Sequence, residues 1–81
     1  MLDAVVEQVL GEARSELARG KGTAAARLLT DAAYRTRDPQ EAQEIIKLAE
    51  QGLGEAGLFG KGRWKEIIRV ATERTNGGTS A

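Results

Sequence analysis

Two short basic turns are the residues of this chain with the clearest chemical potential. The triplet Gly-Lys-Gly occurs at residues 20–22 and again at residues 60–62, and the second copy is followed by Arg63 and Lys65. Free backbone N–H groups at the start of a helix, together with flexible glycines, make a natural binding site for phosphate or carboxylate groups. Because a cation there opposes the helix dipole by roughly a few tenths of a kcal/mol, a bound anion would compensate for it.

The same turns have a simpler interpretation as corners between helices, and we favour it. Residues 38–57 carry five acids against one base, whereas residues 58–75 carry five bases against two acids, so neighbouring helices can pair their charges. Neither triplet has the longer loop after a strand that a phosphate-binding P-loop requires. The candidate anion- or partner-binding residues are Lys21, Lys61, Arg63, Lys65 and Arg69.

Residues suited to catalysis or to metal binding are scarce. The chain has no histidine and no cysteine, which removes the usual general base, the imidazole and thiolate metal ligands, and any disulfide. Glu12 with Glu16, and Glu41 with Glu44, share helix faces and could hold a hard cation, but we interpret both pairs as solvated surface. We therefore expect no enzymatic activity, no metal site and no cofactor.

Trp64 has two interpretations. Its helical spacing with Ile67 and Ala71 favours a place in the core. If the ring were exposed beside Phe59, with Arg63 nearby, it would instead be an anchor on which a peptide or single-stranded nucleic acid could stack. Phe59 and Trp64 are therefore the candidate interface anchors.

Four helical segments must position these residues. Apolar side chains at three- and four-residue steps predict the helices and the faces that they bury. The predicted core residues are Leu2, Val5, Val6, Val9, Ala13 and Leu17 in the first helix, Ala25, Leu28, Leu29, Ala32 and Thr36 in the second, Ala42, Ile45, Ile46, Ala49, Leu53 and Ala56 in the third, and Trp64, Ile67, Ile68 and Ala71 in the fourth.

The helix ends have recognisable signals. Gly20 predicts a left-handed cap after the first helix, and Thr23 is the predicted N-cap of the second. Asp38 as N-cap, followed by Pro39 at the first helical position, is typical of a helix start. Gly57 is the predicted end of the third helix, and the fourth is predicted to begin near residue 61.

These elements predict an all-α fold of four antiparallel helices, arranged as two helical hairpins or as a small bundle. No stretch alternates polar and apolar residues with β-branched enrichment, so we expect no strand. Residues 1–75 are predicted to form one helical domain, with a disordered C-terminal tail at residues 76–81. Twelve basic residues balance twelve acidic ones, so no overall field favours nucleic acid.

A resemblance to the tetratricopeptide repeat family covers about a third of the chain. Residues 62–71, GRWKEIIRVA, resemble the start of that family's second helix, with a glycine, an aromatic two positions later, and apolar residues at helical spacing. Residues 22–39 are similar, although Pro39 follows a residue or two late, and Ile67 stands where alanine is usual. The resemblance implies a helical-hairpin fold and a protein-binding role. Such repeats usually need about three units, so a true repeat protein of this kind would either self-associate or be part of something longer.

The favoured interpretation is a small cytoplasmic protein–protein interaction module with a regulatory or accessory role, whose partner is another protein or a second copy. The alternative is a small nucleic-acid- or phosphate-binding protein that uses the basic segment 58–74. We expect no membrane association, because the apolar runs are short and the first residues lack the order of a signal peptide.

Overall fold

The computed structural model describes residues 4–57 and 60–75. These residues form four helices and, within that part of the chain, no strand, which confirms the predicted all-α class. The helices are α1 (Ala4–Ala18), α2 (Gly22–Arg35), α3 (Pro39–Glu55) and α4 (Lys61–Thr75). Leu2, Phe59 and the predicted disordered tail at 76–81 lie outside the described residues.

The turn between α1 and α2 is closed by Gly20, as its sequence signal predicts. Gly20 has a φ of +77°, in the left-handed region that glycine adopts without steric cost. Its N–H donates to the carbonyl of Leu17 at 3.0 Å, and the N–H of Lys21 donates to the carbonyl of Glu16 at 2.8 Å. This pair of hydrogen bonds is a Schellman motif, which satisfies carbonyls that the helix end would leave open.

The start of α2 differs from the prediction at Thr23. The helix already begins at Gly22, and its N-cap is Lys21, whose side chain makes no capping hydrogen bond. The carbonyl of Lys21 accepts the first helical hydrogen bond, from the N–H of Ala25 at 3.1 Å. The Schellman turn therefore leads directly into the helix, one position before the threonine that could have capped it.

The start of α3 follows the predicted pattern. Asp38 Oδ1 accepts hydrogen bonds from the N–H of Gln40 at 2.7 Å and of Glu41 at 3.3 Å, and Pro39 occupies the first helical position. The preceding loop is fixed by Thr36, whose buried hydroxyl donates to Glu41 Oε1 at 2.9 Å and accepts from the N–H of Asp38 at 3.2 Å. The interpretation of Glu41 as solvated surface is therefore wrong: its side chain is buried and is held by a threonine from the end of α2.

We expect Asp38→Ala to lower the free energy of unfolding by about 1 kcal/mol, because two N–H groups of α3 lose their acceptor. Lys21→Ala is the matched control, since Lys21 occupies the same position in α2 without a side-chain hydrogen bond, and it should change stability by less than about 0.5 kcal/mol. Urea titrations followed by circular dichroism measure both. Equal effects of the two substitutions would contradict the capping role of Asp38.

The helices form two antiparallel hairpins, α1 with α2 and α3 with α4, that stack on each other. Helix α2 packs against both helices of the second hairpin, and α1 touches α3 but, over the described residues, not α4. A closed four-helix bundle would bring its first and last helices together, so the arrangement is the stacked pair of hairpins. The molecule is accordingly flat, 35 × 26 × 15 Å. Membership of a tetratricopeptide-type repeat stays a prediction.

One continuous apolar core runs between the hairpins and contains residues from all four helices. Trp64 is 4% exposed, so the core interpretation of this residue is the one that the structure shows. Val5, expected in the core, is 51% exposed instead, because Val6 and Leu10 supply the face of α1 that meets its neighbours.

Helix α3 ends at Glu55 with Ala56 as its C-cap, slightly before the predicted end at Gly57.

Candidate functional site: the groove between α2 and α4

Helices α2 and α4 run parallel and start at the same end of the molecule. Near their first turns, Thr23 of α2 lies beside Gly60 and Arg63 around one shallow depression. At the opposite end, the guanidinium of Arg74 donates to two carbonyls of the last turn of α2, those of Ala33 at 3.4 Å and Tyr34 at 3.1 Å. A cation at the negative end of a helix is favourable, so Arg74 stabilises α2 while it joins the two helices.

An open groove of about 570 Å³ lies between these two helices. Its walls are mostly polar or charged side chains, and its floor includes the small Gly62, which leaves room between the helices. The lining residues are Arg27, Thr30, Asp31, Tyr34, Gly62, Arg63 and Glu66.

Tyr34 is the aromatic side chain of this groove. It is 52% exposed, and its hydroxyl lies 3.4 Å from Glu66 Oε2 on the facing helix. A tyrosine presents a large, rigid apolar face at a low entropic cost, and it is one of the residues that dominate binding energies in protein interfaces. The long, weak hydrogen bond to Glu66 holds the ring at the groove without burying it.

The groove carries charges of both signs, and only the acids have partners. Asp31 pairs with Arg35 on the same helix, with Nε 3.0 Å from Oδ2, and Glu66 accepts from Tyr34. Among the residues that the structure describes, Arg27 and Arg63 make no hydrogen bond or ion pair. Two guanidiniums on opposite walls, each with five N–H donors, are therefore available to a ligand.

The predicted basic residues do not form one patch. Lys61, Lys65 and Arg69 follow one another at four-residue steps and form an exposed row on α4. Arg63 is displaced from that row by about half a turn, because a helix rotates about 100° per residue, and it lines the groove instead. Arg69 is already paired, with Nη1 3.2 Å from Glu73 Oε2.

The two Gly-Lys-Gly turns do meet, but as a depression with little positive charge. The first turns of α2 and α4 enclose about 370 Å³ lined largely by glycine, alanine and the edge of Trp64. Arg63 is the one cation among its described lining residues, and neither Lys21 nor Lys61 belongs to that lining. The described lining therefore offers no cluster of cations to an anion, and both the anion site and the corner interpretation stay predictions.

The glutamates of the two predicted acidic pairs make separate contacts with other residues. Glu44 forms an ion pair with Arg14 of α1, with Oε2 2.7 Å from Nη2, while its neighbour Glu41 is buried. Glu16 lies 3.6 Å from Arg19 across the last turn of α1. No group of three or more acids within residues 4–57 and 60–75 has the arrangement that a metal ion requires.

Of the groove residues, the sequence analysis identified Arg63 alone. Arg27 and Tyr34 are among those that it missed, and it also missed Arg74. Arg27 and Tyr34 lie with Asp31 at i, i+4 and i+7 on α2, which places them along one face beside the predicted core stripe. That spacing could have identified a polar face with an embedded aromatic. Nothing in the spacing could have shown that α4 supplies the opposite wall.

No helix in the described part of the chain is both long enough and apolar enough to cross a membrane.

No protein-family model matches the chain, and neither curated proteins nor solved structures give a significant match.

Proposed function

We propose that this protein is a small helical protein–protein interaction module with a regulatory or accessory role, and that the groove between α2 and α4 is its binding surface. The observation that carries the proposal is Tyr34, half-exposed in a groove that two unpaired arginines also line. Tyrosine and arginine are the side chains most enriched at the energetic centres of protein interfaces.

The rigidity of the groove supports this proposal. Both walls are helices, and Arg74 of α4 holds the end of α2 through two carbonyls, so the walls keep their spacing in the absence of a ligand. A preformed surface loses little conformational entropy when a partner binds. The chain has no histidine or cysteine, so two of the commonest catalytic side chains are missing, and this favours recognition over catalysis.

The alternative, nucleic-acid binding by the basic segment 58–74, is supported by the exposed row of Lys61, Lys65 and Arg69. Two features of α4 weigh against it. Arg63 faces the groove rather than the row, and Glu73 neutralises Arg69. Three cations, one of them paired, make a small footprint for a polyanion whose affinity depends on the number of phosphates contacted.

Selection of a displayed library of random peptides on the purified protein tests the proposal. We expect enriched peptides whose affinity falls at least about tenfold with Tyr34→Ala, because an interface anchor contributes roughly 1.4 kcal/mol or more. Fluorescence anisotropy with synthetic labelled peptides measures the affinities. Val5→Ala is the matched control, since Val5 is equally exposed but belongs to α1, outside the groove.

Two results would overturn the proposal: no peptide enriches, or the enriched peptides bind Tyr34→Ala as tightly as the unsubstituted protein. Native mass by light scattering belongs to the same experiment. A dimer that Tyr34→Ala dissociates would identify a second copy of the chain, instead of a different protein, as the occupant of the groove.

A further inference from the structure

Arg27 and Arg63 give the groove a preference for negatively charged groups, although the formal charges of its lining residues sum to zero. Its lining contains two arginines, one aspartate and one glutamate, so the formal charges cancel. Asp31, however, is compensated from outside the groove by Arg35, at 3.0 Å, and the carboxylate of Glu66 accepts the hydroxyl of Tyr34. Both acids therefore have a partner, whereas Arg27 and Arg63 make no hydrogen bond or ion pair with the described residues.

We propose that the groove binds an acidic segment of a partner protein, with carboxylates held by Arg27 and Arg63 and an apolar side chain packed on the ring of Tyr34. This inference rests on the proposed function and specifies the chemistry of the partner. Guanidinium groups bind carboxylates through pairs of parallel hydrogen bonds, which give stronger and more directional contacts than a lysine does. The two arginines lie on opposite walls, so they define two separate carboxylate positions.

The groove acids favour a peptide over a nucleic acid as the source of these negative groups. Asp31 and Glu66 lie among the cations and repel a phosphate backbone that carries a charge at every nucleotide. A peptide places its acids selectively, next to Arg27 and Arg63, and presents apolar or polar residues to the remaining positions. Alternation of charge within the groove therefore matches a sequence of spaced acids.

The dimensions of the groove set the length of the segment. Arg27 and Tyr34 are seven residues apart on α2, which corresponds to about 10 Å along the helix axis. An extended peptide covers that distance with about three residues. Arg63 lies near the first turns of the two helices, so both arginines precede Tyr34 along the groove, and two acids to one side of an apolar residue match this order. A probe of roughly six residues therefore contains the whole predicted contact with a margin at each end.

The test is a titration of labelled hexapeptides in which two glutamates lie to one side of a leucine, with glutamine and lysine versions of the same sequence as comparisons. We expect the glutamate peptide to bind most tightly, and Arg27→Gln and Arg63→Gln each to weaken it about five- to tenfold, as the loss of a charge-assisted contact predicts. Lys65→Gln is the control with the same change in charge outside the groove, and it should alter the affinity less than about twofold.

A variant that is expected to raise the affinity distinguishes an effect on recognition from damage to the fold. Glu66→Gln keeps an acceptor for the hydroxyl of Tyr34 but removes a negative charge from the groove, so we expect it to tighten glutamate-peptide binding roughly twofold. A loss of folded protein lowers binding, so tighter binding that is selective for the glutamate peptide is not explained by damage to the fold. Circular dichroism of each variant confirms that the helices are intact.

Three results with the peptide probes would overturn the acidic-segment proposal. They are a glutamine or lysine peptide that binds at least as well as the glutamate peptide, equal losses with Lys65→Gln and Arg63→Gln, and no binding of any probe up to millimolar concentration. A single-stranded oligonucleotide that binds more tightly than the glutamate peptide, with loss on Lys65→Gln, would also overturn it. If the library peptides require Tyr34 but are neutral or basic, the acidic preference fails while the interaction module stands.

Discussion

Replacing Trp64 by alanine is expected to lower the free energy of unfolding by about 3–5 kcal/mol, the usual cost of truncating a buried aromatic side chain. The ring is 4% exposed and packs in the core together with Ile67 and Ala71. The core is otherwise built largely from alanine, valine, leucine and isoleucine, so no neighbour is large enough to fill the space that the indole leaves. A domain of this size has a total stability of roughly 4–12 kcal/mol, and the loss is therefore a large share of it.

The measurement is a denaturant titration followed by circular dichroism. Trp64 is the single tryptophan of the chain, so its fluorescence reports unfolding of the unsubstituted protein at the same site. Tyr34→Ala serves as the control for truncation of an aromatic, and it should cost less than about 1 kcal/mol because the ring is half-exposed. A loss below about 1 kcal/mol for Trp64→Ala would contradict the core role of the indole. If Trp64→Ala does not fold, Trp64→Leu measures a smaller loss of the same kind.

Gly52→Ala is expected to destabilise the protein by about 1–3 kcal/mol, although alanine is the better helix former. Gly52 is buried in α3 against the six-membered ring of Trp64, and an added Cβ would lie 2.5 Å from Cζ2 and 2.6 Å from Cζ3 of the indole. Real Cβ atoms do not approach other atoms so closely, so the ring must move, or α3 and α4 must separate. Because the indole is surrounded by core residues, either change costs packing free energy.

Gly54→Ala is the matched control, two residues further along the same helix. A Cβ at Gly54 meets no atom within 4 Å, so the substitution should stabilise α3 by about 0.5–1 kcal/mol through the usual preference for alanine. The opposite signs of the two substitutions distinguish packing from helix propensity. In a Trp64→Leu background the obstacle at Gly52 is smaller, and Gly52→Ala should then lose most of its cost. Stabilisation by Gly52→Ala in the unsubstituted protein would show that the indole does not pack on this glycine.

The pair of Gly52 and Trp64 also explains why the third helix contains glycine near its end. Each glycine within a helix costs about 1 kcal/mol relative to alanine, so the sequence predicts either a frayed end or close packing there. Close packing is what the structure shows at Gly52, where the backbone of α3 lies against the indole. At Gly54 an added Cβ would meet no atom within 4 Å, so this glycine has no such packing role.

The sequence by itself determined the helices and several of their ends. The signals at Gly20, Asp38 and Pro39 act through hydrogen bonds between residues within five positions of each other, so they can be recognised without knowledge of the fold. The period of the apolar residues likewise identifies the buried face of most of α2, α3 and α4. The all-α class follows from these local features alone.

The tertiary structure decided which helix faces pack against each other. That packing also determined the position of the candidate site, the groove between α2 and α4. Val5 and Val6 are equally apolar, yet one is exposed and the other is buried, because the direction of α1 against its neighbours selects between them. Glu41 is buried because Thr36, across the loop, offers its hydroxyl. The groove requires Tyr34 and Glu66, 32 residues apart, to face each other. Periodicity shows that a helix has a buried face but not which helix covers it, and the groove is a consequence of that pairing.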